Sequence, residues 1–184
     1  MKRQLPTVSR RGSQGRRPER PVAPRERTTA PQPLVTIGYA NHAREAGKLA
    51  VQLCAALAKR GVSVGVLMAA HSGEPTTEVS LGSFLEAGAS GAKSVLVPPH
   101  GGIEVLSDAL ARLSDSAIVI GLGNVLSLFY RPIFSIVVTG HRRQLVSDDT
   151  QILQADLEVT SPSEGLADEL AKIFQGRVNA ALPP

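Results

Sequence analysis

The most chemically suggestive run in this 184-residue chain is Gly38-Tyr39-Ala40-Asn41-His42-Ala43-Arg44-Glu45-Ala46-Gly47-Lys48-Leu49. It follows the apolar stretch Leu34-Val35-Thr36-Ile37 and opens a helical pattern. A working phosphate-binding loop reads G-x-x-x-x-G-K-[ST] in that setting. Its glycines let backbone N–H groups curl round phosphate oxygens, its lysine reaches the terminal phosphates, and its hydroxyl holds magnesium. Gly47-Lys48 stands where that pair belongs, but His42 occupies the first glycine position and Leu49 the hydroxyl position. Alternatively, Gly38-Tyr39 marks the start of the loop and four residues are inserted before Ala46-Gly47-Lys48. On either alignment no hydroxyl follows Lys48. Magnesium is therefore not expected, and an anion would rest on Lys48 and the positive end of the helix.

Other residues invite weaker readings. His42, His71, His100 and His141 all fall in loops at expected strand ends. They could share a metal, but none has the close spacing of a ligand pair, so positions on a cleft rim are favoured. Gly121-Leu122-Gly123-Asn124 could hold a phosphate through Gly121 and its neighbours, yet a tight turn with Asn124 capping a helix fits better. His141-Arg142-Arg143 suits either an anion or a solvated turn, and Asp148-Asp149 is expected to cap a helical turn near Thr150. No G-x-S-x-G elbow supports serine catalysis. Cys54 is the single cysteine and lies in an apolar helical pattern, so buried filler is expected rather than a redox, metal or disulfide role.

The elements that must position these residues alternate between strand and helix. Leu34–Ile37 reads as a strand. A helix over 44–60 follows, with Leu49, Leu53, Ala56 and Leu57 on one face and Gly61 beyond its end. Val62–Met68 is a second strand reached by a one-helix crossover, which predicts a parallel, right-handed pair. Then come a helix near 79–89, the strand Ser94–Val97, a helix over 102–113 and the strand Ala117–Ile120. The segment 125–129 suits a short helix or a strand. Phe134–Val138 and Leu157–Val159 read as strands, and 164–175 as a closing helix capped by Ser163 or Ser161. The pattern predicts an α/β fold of three layers, a mostly parallel sheet with helices on both faces. Ligands in such sheets collect at the carboxyl ends of the strands.

Composition divides the chain in two. Residues 1–33 carry nine Lys/Arg against two Glu, and the remainder carries 11 basic and 14 acidic side chains, a net of −3. The arm 1–33 is expected to be disordered, because it cannot bury enough apolar surface to offset ordering, and 34–184 to be one domain. Nucleic acid would be contacted only through the arm, since the domain is mildly acidic and aromatics make up 3% of the chain. The apolar run 117–130 is too short to span a bilayer, so no membrane role is expected and a cytoplasmic protein is the default. Its extension to residue 138 leaves room for a homodimer edge.

A longer pattern is similar to a known family. Gly38-Tyr39 and Gly47-Lys48 are followed by Ala56-Leu57-Ala58-Lys59-Arg60-Gly61-Val62-Ser63-Val64-Gly65-Val66, then by the histidine loop Ala70-His71-Ser72-Gly73. Phe84-Leu85-Glu86-Ala87-Gly88-Ala89 and Asp115-Ser116-Ala117-Ile118-Val119-Ile120-Gly121 complete it. This order resembles the MobB family, P-loop NTPase-fold proteins that assist attachment of a nucleotide to molybdopterin, and the likeness covers residues 34–140. It implies a P-loop-like fold, a nucleotide or pterin ligand near Gly38, Asn41, His42, Gly47, Lys48, His71 and Gly121, and a partner enzyme in pterin- or molybdenum-cofactor biogenesis. Three departures point one way. Leu49 replaces the magnesium ligand, Ile120 stands where the family has an acidic residue, and His42 or an insertion disrupts the glycine loop. Each removes part of the electrostatic clamp of phosphoryl transfer. The expectation is therefore an accessory subunit that binds without Mg-dependent hydrolysis. The alternative is an interaction or scaffold subunit whose basic arm meets an acidic partner.

Overall fold

A computed structural model describes residues 27–39, 42–71, 77–98, 100, 102–139 and 155–181. The described strands are β1 (Thr28–Thr29), β2 (Leu34–Tyr39), β3 (Val64–His71), β4 (Gly91–Val97), β5 (Ile118–Leu122), β6 (Tyr130–Arg131), β7 (Phe134–Val138) and β8 (Leu157–Val159). The helices are α1 (Ala43–Ala58), α2 (Leu81–Glu86), α3 (Gly102–Ala111), α4 (Leu126–Phe129) and α5 (Leu166–Ala181). Six strands form one parallel sheet in the order β4-β3-β5-β2-β7-β8, and β1 and β6 make a separate parallel ribbon.

Burial explains the centre of the sheet. Every residue of β2 and of β5 is buried, so both strands need neighbours on each side and a helix layer on each face. They pair with each other from Leu34↔Val119 to Ile37↔Leu122. This modifies the simple crossover expected from the sequence. The α1 crossover does lead to a parallel β3, but β5 inserts between β2 and β3, and β3 pairs with β4 and β5 instead.

The faces follow from right-handed crossovers. Connections running outward from β2 to β3 and from β3 to β4 put α1 and α2 on one face, where α5 joins them. The return from β4 to β5 and the onward step to β7 put α3 and α4 on the other. One core accordingly joins Leu49, Leu53, Leu57, Phe84, Leu170 and Phe174 to the first face, and a second joins Leu106, Leu110, Leu126 and Tyr130 to the opposite face. The architecture is a three-layer α/β fold, consistent with a P-loop-like arrangement.

Local signals explain the ends of elements. Gly61 adopts φ 74 beyond α1, and the Val62 N–H donates back to the Leu57 carbonyl, closing the helix as a glycine terminus does. Ser80 caps α2 by accepting from the Ser83 N–H at 3.2 Å. The ambiguous segment before Pro132 is a single helical turn, α4, followed by the two-residue β6.

Two boundaries differ from the composition. Residues 27–33 belong with the domain rather than with the basic arm. Thr28–Thr29 pair with Tyr130–Arg131, Ala30 packs on the second core, and Gln32 Nε2 donates to the Leu110 carbonyl at 3.5 Å. Within the apolar run 117–138, β5 and β7 each have strands on both sides, so the edges of the six-stranded sheet are β4 and β8. Among the described residues no helix is long and apolar enough to cross a membrane.

Candidate functional site

The carboxyl ends of β2, β3 and β5 meet the start of α1 at one end of the sheet. Strands β2 and β5 are neighbours whose following helices, α1 and α4, leave on opposite faces, and such a divergence opens a crevice. The first intrahelical bond of α1 runs from the Ala46 N–H to the His42 carbonyl at 3.0 Å, so the N–H groups of Ala43, Arg44 and Glu45 precede the hydrogen-bonded ladder. His42 is the N-cap by position, but its side chain makes no capping bond. Its Nδ1 lies 3.7 Å from Glu45 Oε2, an acidic group in the first turn that complements the positive helix end.

Gly38, near the end of β2, faces Asn124. The Asn124 Nδ2 donates to the Tyr39 carbonyl at 2.8 Å, and the Tyr39 N–H donates to Asn124 Oδ1 at 2.9 Å. Asn124 therefore does not cap α4, as its sequence position suggested. Its amide instead forms a strand-like pair that joins the turn after β5 to the end of β2. A Cβ on residue 38 would lie 2.6 Å from Asn124 Oδ1, so this docking itself requires glycine there.

Gly47 and Lys48 sit in the second turn of α1. Gly47 is buried against the segment that leads into α2, and a Cβ there would lie 2.5 Å from Val79 Cγ2 and 3.3 Å from Thr77 Cβ. Lys48, the next residue, is exposed. Side chains on a helix lean toward its N-terminus, which directs the Lys48 stem toward the first turn of α1. Leu49 is fully buried in the α1 core, Ile120 is fully buried in β5, and Gly121 is buried beneath Leu126. Neither Leu49 nor Ile120 presents an oxygen, so the residues at those two positions do not fit a magnesium ion.

The histidines disperse over the rim. His71 ends β3 with Nδ1 3.1 Å from the Val97 carbonyl, and His100 is exposed before α3. Asn41, His141, Arg142, Arg143, Asp148, Asp149 and Thr150 lie outside the described residues. Among the described residues no three His, Cys, Asp or Glu side chains gather as metal ligands would. Cys54 is fully buried, and desolvation pushes its thiol up from 9.0 to about 11. Its Sγ donates to the Phe84 carbonyl at 3.9 Å, as a core thiol does.

A feature not read from the sequence lies on the α3/α4 face. A cleft of about 210 Å³ opens over β2 and β7, with Arg27 and Arg131 among its walls and Thr36, Ser127, Ser135 and Asp156 lining it. Ser127 Oγ donates to Thr36 Oγ1 at 3.1 Å, and both residues are buried. The Ser135 N–H and Oγ–H both donate to Asp156 Oδ2, at 2.7 and 3.1 Å. These residues come from widely separated parts of the chain, and no local motif joins them. The one available signal was the polar Thr36 and Ser135 inside otherwise apolar strands. Compared with protein-family models, with curated proteins and with solved structures, the chain matches none.

Proposed function

We propose that this protein is a non-hydrolysing accessory domain that binds a nucleotide, a pterin or another phosphate-bearing ligand at the start of α1. One observation carries the reading. Helix α1 begins at the carboxyl end of a parallel sheet with three N–H groups ahead of its first intrahelical bond and no capping side chain from His42. Such groups hold anions well, because N–H dipoles and the helix field act together. Lys48 supplies the positive charge one turn on. Buried Leu49 and Ile120 argue for binding without magnesium-dependent turnover. The likeness to MobB proteins suggests a role in pterin- or molybdenum-cofactor biogenesis, in the cytoplasm, beside a partner enzyme. Calorimetric titration of the full chain with GTP and with a molybdopterin-type pterin tests this. Weak binding that magnesium does not change and that Lys48→Ala abolishes is expected. The absence of heat with every nucleotide and pterin would overturn it.

A second reading, a protein-interaction subunit, is favoured by the outer edge of β4, which no strand covers among the described residues and where Leu96 is 67% exposed. A stoichiometric partner captured by the full chain and lost in Leu96→Glu would support it. A monomer without partners would count against it.

A further inference from the structure

We infer that the cleft between Arg27 and Arg131 is a second, separate ligand site, built for a small phosphorylated metabolite that also carries a hydroxyl or amine. Both arginines are exposed at the cleft, and among the described residues neither takes part in the ion pairs, which join His42 to Glu45, Arg44 to Glu78 and Arg60 to Asp168. Two arginines lining one concavity suit an oxyanion with several acceptor oxygens.

The floor adds a neutral donor. Ser127 spends its proton on Thr36 Oγ1, so the Thr36 hydroxyl keeps its own proton while 1% exposed at the base of the cleft. An acidic group also lines the cleft. Asp156 receives both Ser135 donors on Oδ2, which fixes the carboxylate and leaves Oδ1 to accept from a ligand. A bare anion would satisfy the arginines and Thr36 but not Asp156. A hydroxyl or amine next to the phosphoryl group would satisfy all of them. The volume of about 210 Å³ is below the usual range for drug-sized ligands, which favours a phosphorylated fragment over a whole nucleotide.

This site opens on the face of the sheet opposite α1 and shares only Gly38 with the residues assigned to the first, so the Lys48 and arginine variants separate the two tests. The full-length protein is titrated with glycerol 3-phosphate, with inorganic phosphate and with glycerol, followed by phosphorus NMR line broadening and by thermal shift. Saturable binding of glycerol 3-phosphate, tighter than that of inorganic phosphate and absent for glycerol, is expected. Arg27→Ala and Arg131→Ala should each weaken it about tenfold or more, the effect of losing a charged hydrogen-bonding partner. Lys48→Ala should leave it unchanged. The exposed arginines can be removed without disturbing the core, and circular dichroism checks that each variant is folded. No saturable binding at about 10 mM, beyond the weak millimolar range, would overturn the proposal. So would unchanged affinity in the double arginine variant, or equal loss in Lys48→Ala.

Discussion

The pairing of Gly38 with Asn124 yields a quantitative prediction. A methyl at residue 38 would sit 2.6 Å from Asn124 Oδ1, so the Asn124 side chain must leave its position. Leaving breaks two hydrogen bonds to the backbone of Tyr39, at 2.9 and 2.8 Å, and Tyr39 is 5% exposed. At about 1 kcal/mol net for each bond, the cost is about 2 kcal/mol. Replacing a strand glycine by alanine returns about 0.5–1 kcal/mol of backbone entropy. Gly38→Ala should therefore lose about 1–1.5 kcal/mol, and Asn124→Ala about 2 kcal/mol, for the same two bonds. Because both variants remove one interaction, the double variant should be no worse than Gly38→Ala alone. The cycle should then give a coupling of about 2 kcal/mol. Urea unfolding of the four proteins measures it, with equal slopes as the check that the denatured state is unchanged. Additive losses, or a Gly38→Ala protein as stable as the wild type, would refute this account of the glycine.

Three further outcomes are expected. Gly47→Ala should be destabilising despite the higher helix propensity of alanine, because the new methyl meets Val79 Cγ2; Val79→Ala in the same chain should restore about 1 kcal/mol, read from thermal melts. Buried Cys54 should resist thiol reagents in the native state. Because its folded pKa of about 11 exceeds the ordinary 9.0, the unfolded chain binds fewer protons between these values, so stability should fall as pH rises from 9 to 11, by about 3 kcal/mol at most. Cys54→Ala should flatten that part of the pH–stability curve. Removing residues 1–26 should leave the melting temperature unchanged, whereas removing 1–33 should cost about 1–2 kcal/mol through the loss of β1, Ala30 packing and the Gln32 bond.

What could be read from the chain follows from how local each signal is. Consecutive apolar residues in β2 and β5, and the glycine after α1, act within a few residues of themselves. Their elements and the three-layer class were accordingly legible. The order of strands was not, because nothing near β5 states that it will insert between β2 and β3. That choice is made by two fully buried strands seeking each other's flanks. The cleft was hidden for the same reason. Arg27 fell in a segment whose composition resembles the arm, and Asp156 lies 21 residues from the Ser135 it engages.

Gly47-Lys48 shows how one dipeptide can be placed correctly in sequence and differently in space. A phosphate loop needs the glycine before the first helical bond, where its N–H is unspent and its missing side chain admits an oxygen. Here the ladder already begins with Ala46 bonding to His42, and the missing side chain at Gly47 admits Val79 instead. An anion at the start of α1 would therefore meet the N–H groups of Ala43, Arg44 and Glu45 rather than that of Gly47, with Lys48 one turn on. Glu45 stands among those same N–H groups, so a bound anion has to displace or outweigh its favourable field. Glu45→Gln should consequently tighten phosphate binding at α1 and leave glycerol 3-phosphate binding in the arginine cleft unaltered, a difference in response that competitive titration against both ligands would measure. Tightening at neither site would mean that the start of α1 does not hold the anion.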